Sequence, residues 1–187
     1  MKRLFAAIKI EPEPEIRPLL DSLKRKFAME KIRWVSPDNI HVTLKFFGDT
    51  EEDQIPFLSE TFRKIAGESG PFSISFEKLS FFGSRNNPKV LWLSLKENEE
   101  LTKLIDKVNI EFKTPGYNAD KDDIHSHLTL GRLKILNDQR NFLEVIKSEI
   151  STGKTYAIDH FTIYQSVLTH TGPIYTGLEN YFFEKKS

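Results

Sequence analysis

His41-Val42-Thr43-Leu44-Lys45-Phe46 and His127-Leu128-Thr129-Leu130-Gly131-Arg132 stand eighty-six residues apart and share the pattern His-x-Thr-Leu. In a strand, successive side chains point to opposite faces. His41 and Thr43 therefore share one face, and Val42 and Leu44 the other. His127 and Thr129 repeat the arrangement, backed by Leu128 and Leu130. Strict alternation also assigns Lys45 to the His41 face and sends Phe46 toward the core. It puts Arg132 opposite His127 unless a β-bulge re-aims it. Two apolar-backed strands thus offer two imidazoles and two hydroxyls, a set suited to converge on one phosphate.

The surrounding chain sets the frame. Its 187 residues suffice for one compact domain, or for two small lobes sharing a core, and we read residues 1–187 as a single bilobal domain. Fifteen phenylalanines predict an aromatic-rich core. A formal net charge of zero argues against a long-nucleic-acid binder, which is usually strongly basic, and leaves room for a local basic patch. The absence of cysteine excludes disulfides, thiol catalysis and cysteine-ligated zinc, and predicts a reducing compartment. No apolar run approaches the ~18 residues of a membrane span. The basic and apolar start, interrupted by Lys9 and followed by Glu11-Pro12-Glu13-Pro14, reads as a first strand rather than a secretory signal. A cytoplasmic protein is expected.

Taken in order, Arg3 to Ile10 predicts a strand buried on both faces at its centre. Ile16, Leu19, Leu20, Leu23 and Phe27 have helical spacing, ending near Met29. Trp34-Val35 reads as a short extended piece, Ser36 to Asn39 as a turn and Ile40 to Phe47 as a strand closed by Gly48-Asp49. A second helix spans Ile55 to Ala66, with Asp53 near its start. Phe72 to Glu77, extended or ended by Phe81-Phe82-Gly83, forms a hairpin with Val90 to Leu95 across a polar tip. A third helix covers Leu101 to Phe112, and the polar stretch Tyr117 to Asp123 reads as a loop. After the second His-x-Thr strand, Phe142 to Ile150 predicts a fourth helix. Tyr156 to Leu168 holds one or two strand runs, and Ile174 to Phe183 a last strand. Helices and strands mix throughout, so the fold is α/β or α+β.

The chemistry follows from the residue types. One His-x-Thr alone reads as a polar sheet face. Two copies inside apolar strands, in a chain with five histidines, favour function. Histidine exchanges a proton near neutrality, and a pair supplies one base and one acid in a turnover. Threonine hydroxyls donate to anionic oxygens without adding charge. In phosphoryl transfer the attacking and leaving oxygens lie roughly in line, with charge spread over the equatorial oxygens. Two flanking histidines and two hydroxyl donors suit that geometry. A strained five-membered cyclic phosphate is a target that needs no metal.

The run Trp34 to Gly48, with His41-Val42-Thr43-Leu44-Lys45-Phe46 at its centre, closely resembles the first signature of the two-histidine (2H) phosphoesterases. Within them it is similar to the RNA 2′,3′-cyclic phosphodiesterase family, also called LigT-like or 2′-5′ RNA ligase. Arg3 to Ile8, Pro88 to Leu93, His127 to Arg132, Ser166 to Leu168 and Gly172 to Tyr175 fit the same family in order. The resemblance implies an α+β, bilobal LigT-like fold, with two pseudo-symmetric lobes of antiparallel sheet and outer helices around a central groove. It implies metal-independent opening of an RNA or nucleotide 2′,3′-cyclic phosphate end to a 2′-phosphate, with no cofactor. Carried over, His41 protonates the departing 3′ oxygen, His127 activates water, and Thr43 and Thr129 hold phosphate oxygens. Phe46 would wall the substrate base, and Arg132 would contact phosphate or base. Ile124-His125-Ser126-His127 departs from the family's Phe-x-Pro-His lead-in and removes a rigid proline.

Other residues admit two readings. His125 with Asp122 and Asp123 hints at a metal site, but no complete ligand set is evident and none is assigned. Arg85 and Lys89 on the hairpin tip suit RNA contact or plain solvated surface. His160 and His170 read as structural or surface residues. A monomer without protein partner or membrane contact is expected. The rival functions are 2′-5′ ligation, 2′-5′ phosphodiester cleavage, and a non-catalytic nucleotide or RNA-end binding module.

Overall fold

A computed structural model describes residues 1–113, 126–148, 154–170 and 172–184. Its strands are β1 (Lys2–Lys9), β2 (Lys31–Trp34), β3 (His41–Thr50), β4 (Phe72–Ser84), β5 (Asn87–Leu95), β6 (His127–Ile135), β7 (Thr155–Ile158), β8 (His160–Leu168) and β9 (Pro173–Phe182). The helices are α1 (Ile16–Lys26), α2 (Ile55–Gly67), α3 (Glu99–Glu111) and α4 (Gln139–Ser148). Each expected element is present in the expected order. The last turn of the first helix is not: α1 stops at Lys26, and Ala28 N–H bonds Arg25 O at 3.3 Å. Residues 149–150, into which the fourth helix was expected to run, lie outside the described residues, as does the expected loop Tyr117 to Asp123.

Local chemistry explains the helices. α1 buries Ile16, Leu20 and Leu23 on one stripe, and Lys24, Arg25 and Lys26 sit in its last turn, where cations suit the dipole. Asn98 caps α3 by accepting Leu101 N–H at 2.8 Å. Asp138 accepts Asn141 N–H at 2.9 Å at the start of α4. A short 3-10 turn, Glu52–Gln54, contains Asp53 and leads into α2; Gln54 Oε1 accepts Glu51 N–H at 3.3 Å.

All strand pairings among the described residues are antiparallel, in the order β7-β4-β5-β6-β3-β1-β8-β9, with β2 also paired to β6. The two motif strands, β3 and β6, are central neighbours. They divide the curled sheet into one half built on β3-β1-β8-β9 and another on β6-β5-β4-β7. α2 packs on β9 and α3, and α3 on β3, behind the first half. Behind the second, Phe27 at the end of α1 meets Trp34 of β2 at 6.5 Å and Phe142 of α4 at 5.3 Å. The core between sheet and helices is aromatic, as the composition predicts; Phe62 meets Phe112 at 4.8 Å and Phe161 at 5.2 Å. β1 is buried on both faces from Leu4 to Ile8.

Both motif strands carry a bulge at the same place. Along β1, Ala7 pairs with Thr43 and Ala6 with Lys45, so Leu44 is the extra residue. Along β5, Trp92 pairs with Thr129 and Leu91 with Gly131, so Leu130 is the extra residue. The burial of 41–47 and 127–133 then matches residue for residue. A bulge shifts the phase of alternation by one. Two expectations from strict alternation are therefore corrected. Phe46 does not enter the core but is 60% exposed, and Lys45 leaves the His41 face and is 3% exposed. Lys45 Nζ donates to Asn109 Oδ1 of α3 at 3.2 Å. Gly131 takes the corresponding inward position in β6. There β2 leaves no room, since a Cβ would stand 2.8 Å from Ile32 Cγ2 and 3.3 Å from Trp34 Cε3.

Candidate active site

The pairing of Val42 with Leu128 aligns the two motifs. Val42, Leu44, Leu128 and Leu130 are fully buried on the helix side. His41, Thr43, His127 and Thr129 are half-buried on the other side. The antiparallel register crosses the dyads, setting His41 across from Thr129 and Thr43 across from His127. The bulges then bring Phe46 and Arg132 round to the histidine face.

His41 is held from behind. Its Nδ1 donates to Asn39 O at 2.6 Å. A carbonyl accepts and cannot donate, so the neutral ring carries its proton on Nδ1 and leaves Nε2 as an acceptor. Asn39 lies in a 3-10 turn, Pro37–Asn39, and its Nδ2 donates to Pro173 O at 3.0 Å, which fastens the turn to β9. Burial pushes the His41 pKa below its ordinary value; the bond to Asn39 opposes this, and the like charge of His127 adds to it.

Each histidine has an aromatic collar. His41 lies 5.2 Å from Phe5 and edge-on to Tyr175 at 5.4 Å. Phe5 also stacks on Tyr164 at 5.3 Å and meets Phe46 at 5.8 Å. His127 stands edge-on to Phe82 at 4.9 Å and lies 5.7 Å from Trp92, and those two rings stack at 4.8 Å. The Trp92 Nε1 is buried without a hydrogen-bond partner among the described residues.

Tyr175 was not singled out as a site residue from the sequence, although it closes the stretch Gly172 to Tyr175 that fits the family. Burial raises its pKa, and the positive charges of Arg132 and Arg3 oppose that shift. Its hydroxyl therefore stays protonated. Phe5, Tyr164, Phe82 and Asn39 were likewise missed. Their only signal was membership of strands or turns flanking the motifs.

The remaining candidates separate. His160 Nδ1 stands 2.6 Å from Asp159 Oδ1, with its ring 5.0 Å from Phe182, away from the motifs. His170 O accepts from Arg33 at 3.3 Å. Arg85 and Lys89 are exposed on the β4–β5 hairpin. His125, Asp122 and Asp123 lie outside the described residues. Among the described residues, no three His, Cys, Asp or Glu cluster as metal ligands, and no helix is long and apolar enough to cross a membrane.

Comparison with known proteins decides the family. An RNA 2′,3′-cyclic phosphodiesterase of Archaeoglobus fulgidus is 34% identical over 94% of this chain and 97% of its own length. The chain belongs to the LigT-like phosphoesterases. The family description, LigT like Phosphoesterase, matches residues 8–92, which include the first motif. An RNA 2′,3′-cyclic phosphodiesterase of Thermotoga maritima is 31% identical over 97% of the phosphoesterase and 96% of the relative. Among solved structures, TT0787 of Thermus thermophilus superposes with a TM-score of 0.78 at 23% identity, covering 99% of this chain and 100% of that one. E. coli LigT complexed with 3′-AMP gives 0.74 at 23% identity, covering 98% and 99%. These two likenesses establish the α+β LigT-like fold of the phosphoesterase.

Proposed function

We propose that the protein hydrolyses the 2′,3′-cyclic phosphate ends of RNA to 2′-phosphates through an acid–base pair of histidines. The observation that carries this reading is the register of Val42 with Leu128, which sets two His-Thr dyads crosswise on one face. Its full-length relatives in Archaeoglobus and Thermotoga bear the name of that activity.

In the proposed step, His127 takes a proton from water as its oxygen bonds to phosphorus. The bond from phosphorus to the 3′ oxygen breaks in line, and His41 delivers a proton to that oxygen. Water is consumed, and the product is a 2′-phosphate with a free 3′-hydroxyl. Thr43 and Thr129 donate to the equatorial oxygens, Arg132 balances their charge, and Phe46 walls the sugar and base. His41 must enter the cycle protonated, and burial alone favours its neutral form. The anionic phosphate beside it shifts it back toward imidazolium. We place the protein in the cytoplasm, in keeping with its lack of cysteine, and take it to act as a monomer.

Purified protein with a 2′,3′-cyclic nucleotide in EDTA should release only the 2′-phosphate. A 3′-phosphate product would reverse the assignment of the leaving oxygen. Activity lost in EDTA and restored by zinc would overturn the metal-independent step. Joining of RNA ends without hydrolysis would favour 2′-5′ ligation.

A further inference from the structure

A cavity of about 320 Å³ opens beside His41, on the side of the β3–β6 pair where β1, β8 and β9 lie. Its position has a chemical meaning under the cyclic phosphodiesterase reading, on which this inference rests. The 3′ oxygen that leaves is part of the terminal ribose. The residue that protonates it must therefore stand on the ribose side of phosphorus, with water on the other side. With His41 as the acid, the terminal nucleoside lies toward this cavity.

The cavity combines aromatic and charged side chains. Phe5, Tyr164 and Tyr175 line it, with Tyr164 stacked on Phe5 at an interplanar angle of 21° and Tyr175 edge-on to Phe5 at 4.8 Å. Aromatic side chains stack on any nucleobase. Gly177 of β9, paired with Tyr164, lines the same space; a Cβ there would lie 3.3 Å from Thr162 Cγ2 and 3.7 Å from Tyr164 Cε1. The charged side chains are Asp38 and Lys9. Asp38 is exposed and has no hydrogen bond or ion pair among the described residues, while Lys9 pairs with Glu11 at 3.6 Å rather than with Asp38. One group only accepts and the other only donates.

We propose that this cavity is the terminal-base subsite and that Asp38 and Lys9 make it select guanine. Guanine presents two adjacent donors, N1–H and N2–H₂, to a carboxylate, and an acceptor, O6, to an ammonium. Adenine and cytosine each offer one amino donor next to ring acceptors. Uracil sets one N–H between two carbonyls. Only guanine gives the carboxylate two adjacent donors while still offering an acceptor to the ammonium.

The test is calorimetric binding of the four nucleoside 2′-monophosphates to the intact protein and to Asp38→Ala. The guanine nucleotide should bind about tenfold or more tightly than the uracil one, the scale of a bidentate base contact. Asp38→Ala should erase most of that ratio, and Asp38→Asn should move preference away from guanine. Equal affinities, a guanine preference that survives Asp38→Ala, or binding of none of the four would overturn the subsite. Hydrolysis of the four 2′,3′-cyclic monophosphates separates the two readings. Equal turnover of all four defeats guanine selection alone. Turnover of none defeats the hydrolase reading and leaves the binding comparison to judge the subsite.

Discussion

Val42 and Leu128, both without exposed surface, face each other across the β3–β6 pair. Each anchors its strand by burying an apolar side chain, and each thereby turns a histidine and a threonine to the opposite face. The pseudo-two-fold relation between the halves passes through this contact. Two similar strands running antiparallel place each histidine opposite the other's threonine. A reaction needing an acid on one side of phosphorus and a base on the other is served by that relation.

His41→Ala and His127→Ala should each lower turnover by ~10²–10⁴-fold, the usual contribution of a positioned acid or base. The double variant should lose far less than the product of the two, because the pair acts as a unit. Steady-state hydrolysis of a 2′,3′-cyclic nucleotide measures this. Near-normal turnover in either single variant would contradict the assignment.

The motif pattern made the two motif strands, the core leucines and the His-Thr pairs on their other face legible in the sequence. It did not reveal the bulges, because Leu44-Lys45 and Leu130-Gly131 carry no mark of an extra residue. Phase was therefore right up to Leu44 and wrong after it, which is why Lys45 and Phe46 exchanged faces. The collar residues were invisible for another reason. Tyr164 and Tyr175 come to the His41 side through strand pairings across more than a hundred residues, and Phe5 through the pairing of β1 with β3; an alternating apolar pattern does not say which strands are neighbours.

Phe46 and Arg132 occupy matching positions after the two bulges, one apolar and one cationic. Phe46→Ala should weaken nucleotide binding by roughly 1–3 kcal/mol if its exposed ring covers a base, the range for stacking. Arg132→Ala should cost a similar ~1.5–3 kcal/mol through a lost charged hydrogen bond. Inorganic phosphate competition distinguishes them. Only Arg132→Ala should raise the phosphate inhibition constant.

Burial sets the sign of a pH effect at His41. Its pKa in the folded protein lies below the ~6.5 of an unfolded chain. Between those two values the unfolded state binds more protons, so stability rises with pH. The contribution is complete above the unfolded pKa and is lost as pH falls through the folded one. Urea unfolding between about pH 5 and 7.5 should show the wild type losing more stability on acidification than His41→Asn. Parallel curves would show that burial does not hold the ring neutral. Added phosphate should raise the His41 pKa in an NMR titration.

Gly131 tests whether the second bulge is held by close packing against β2. A Cβ at this position would lie 2.8 Å from Ile32 Cγ2 and 3.4 Å from Arg33 O. The nearer contact is a side-chain methyl on a half-buried residue, so Gly131→Ala is expected to fold with Ile32 displaced. Overpacking of this kind costs about 1–3 kcal/mol. Gly131→Val adds two further methyls against Trp34 and should cost more. Removing the obstructing group with Ile32→Ala should make the pair less destabilising than the sum of its parts, since contacting residues couple. Urea midpoints of the two single variants and the double supply the cycle. Strict additivity would mean that the absence of a side chain at 131 answers to something other than Ile32.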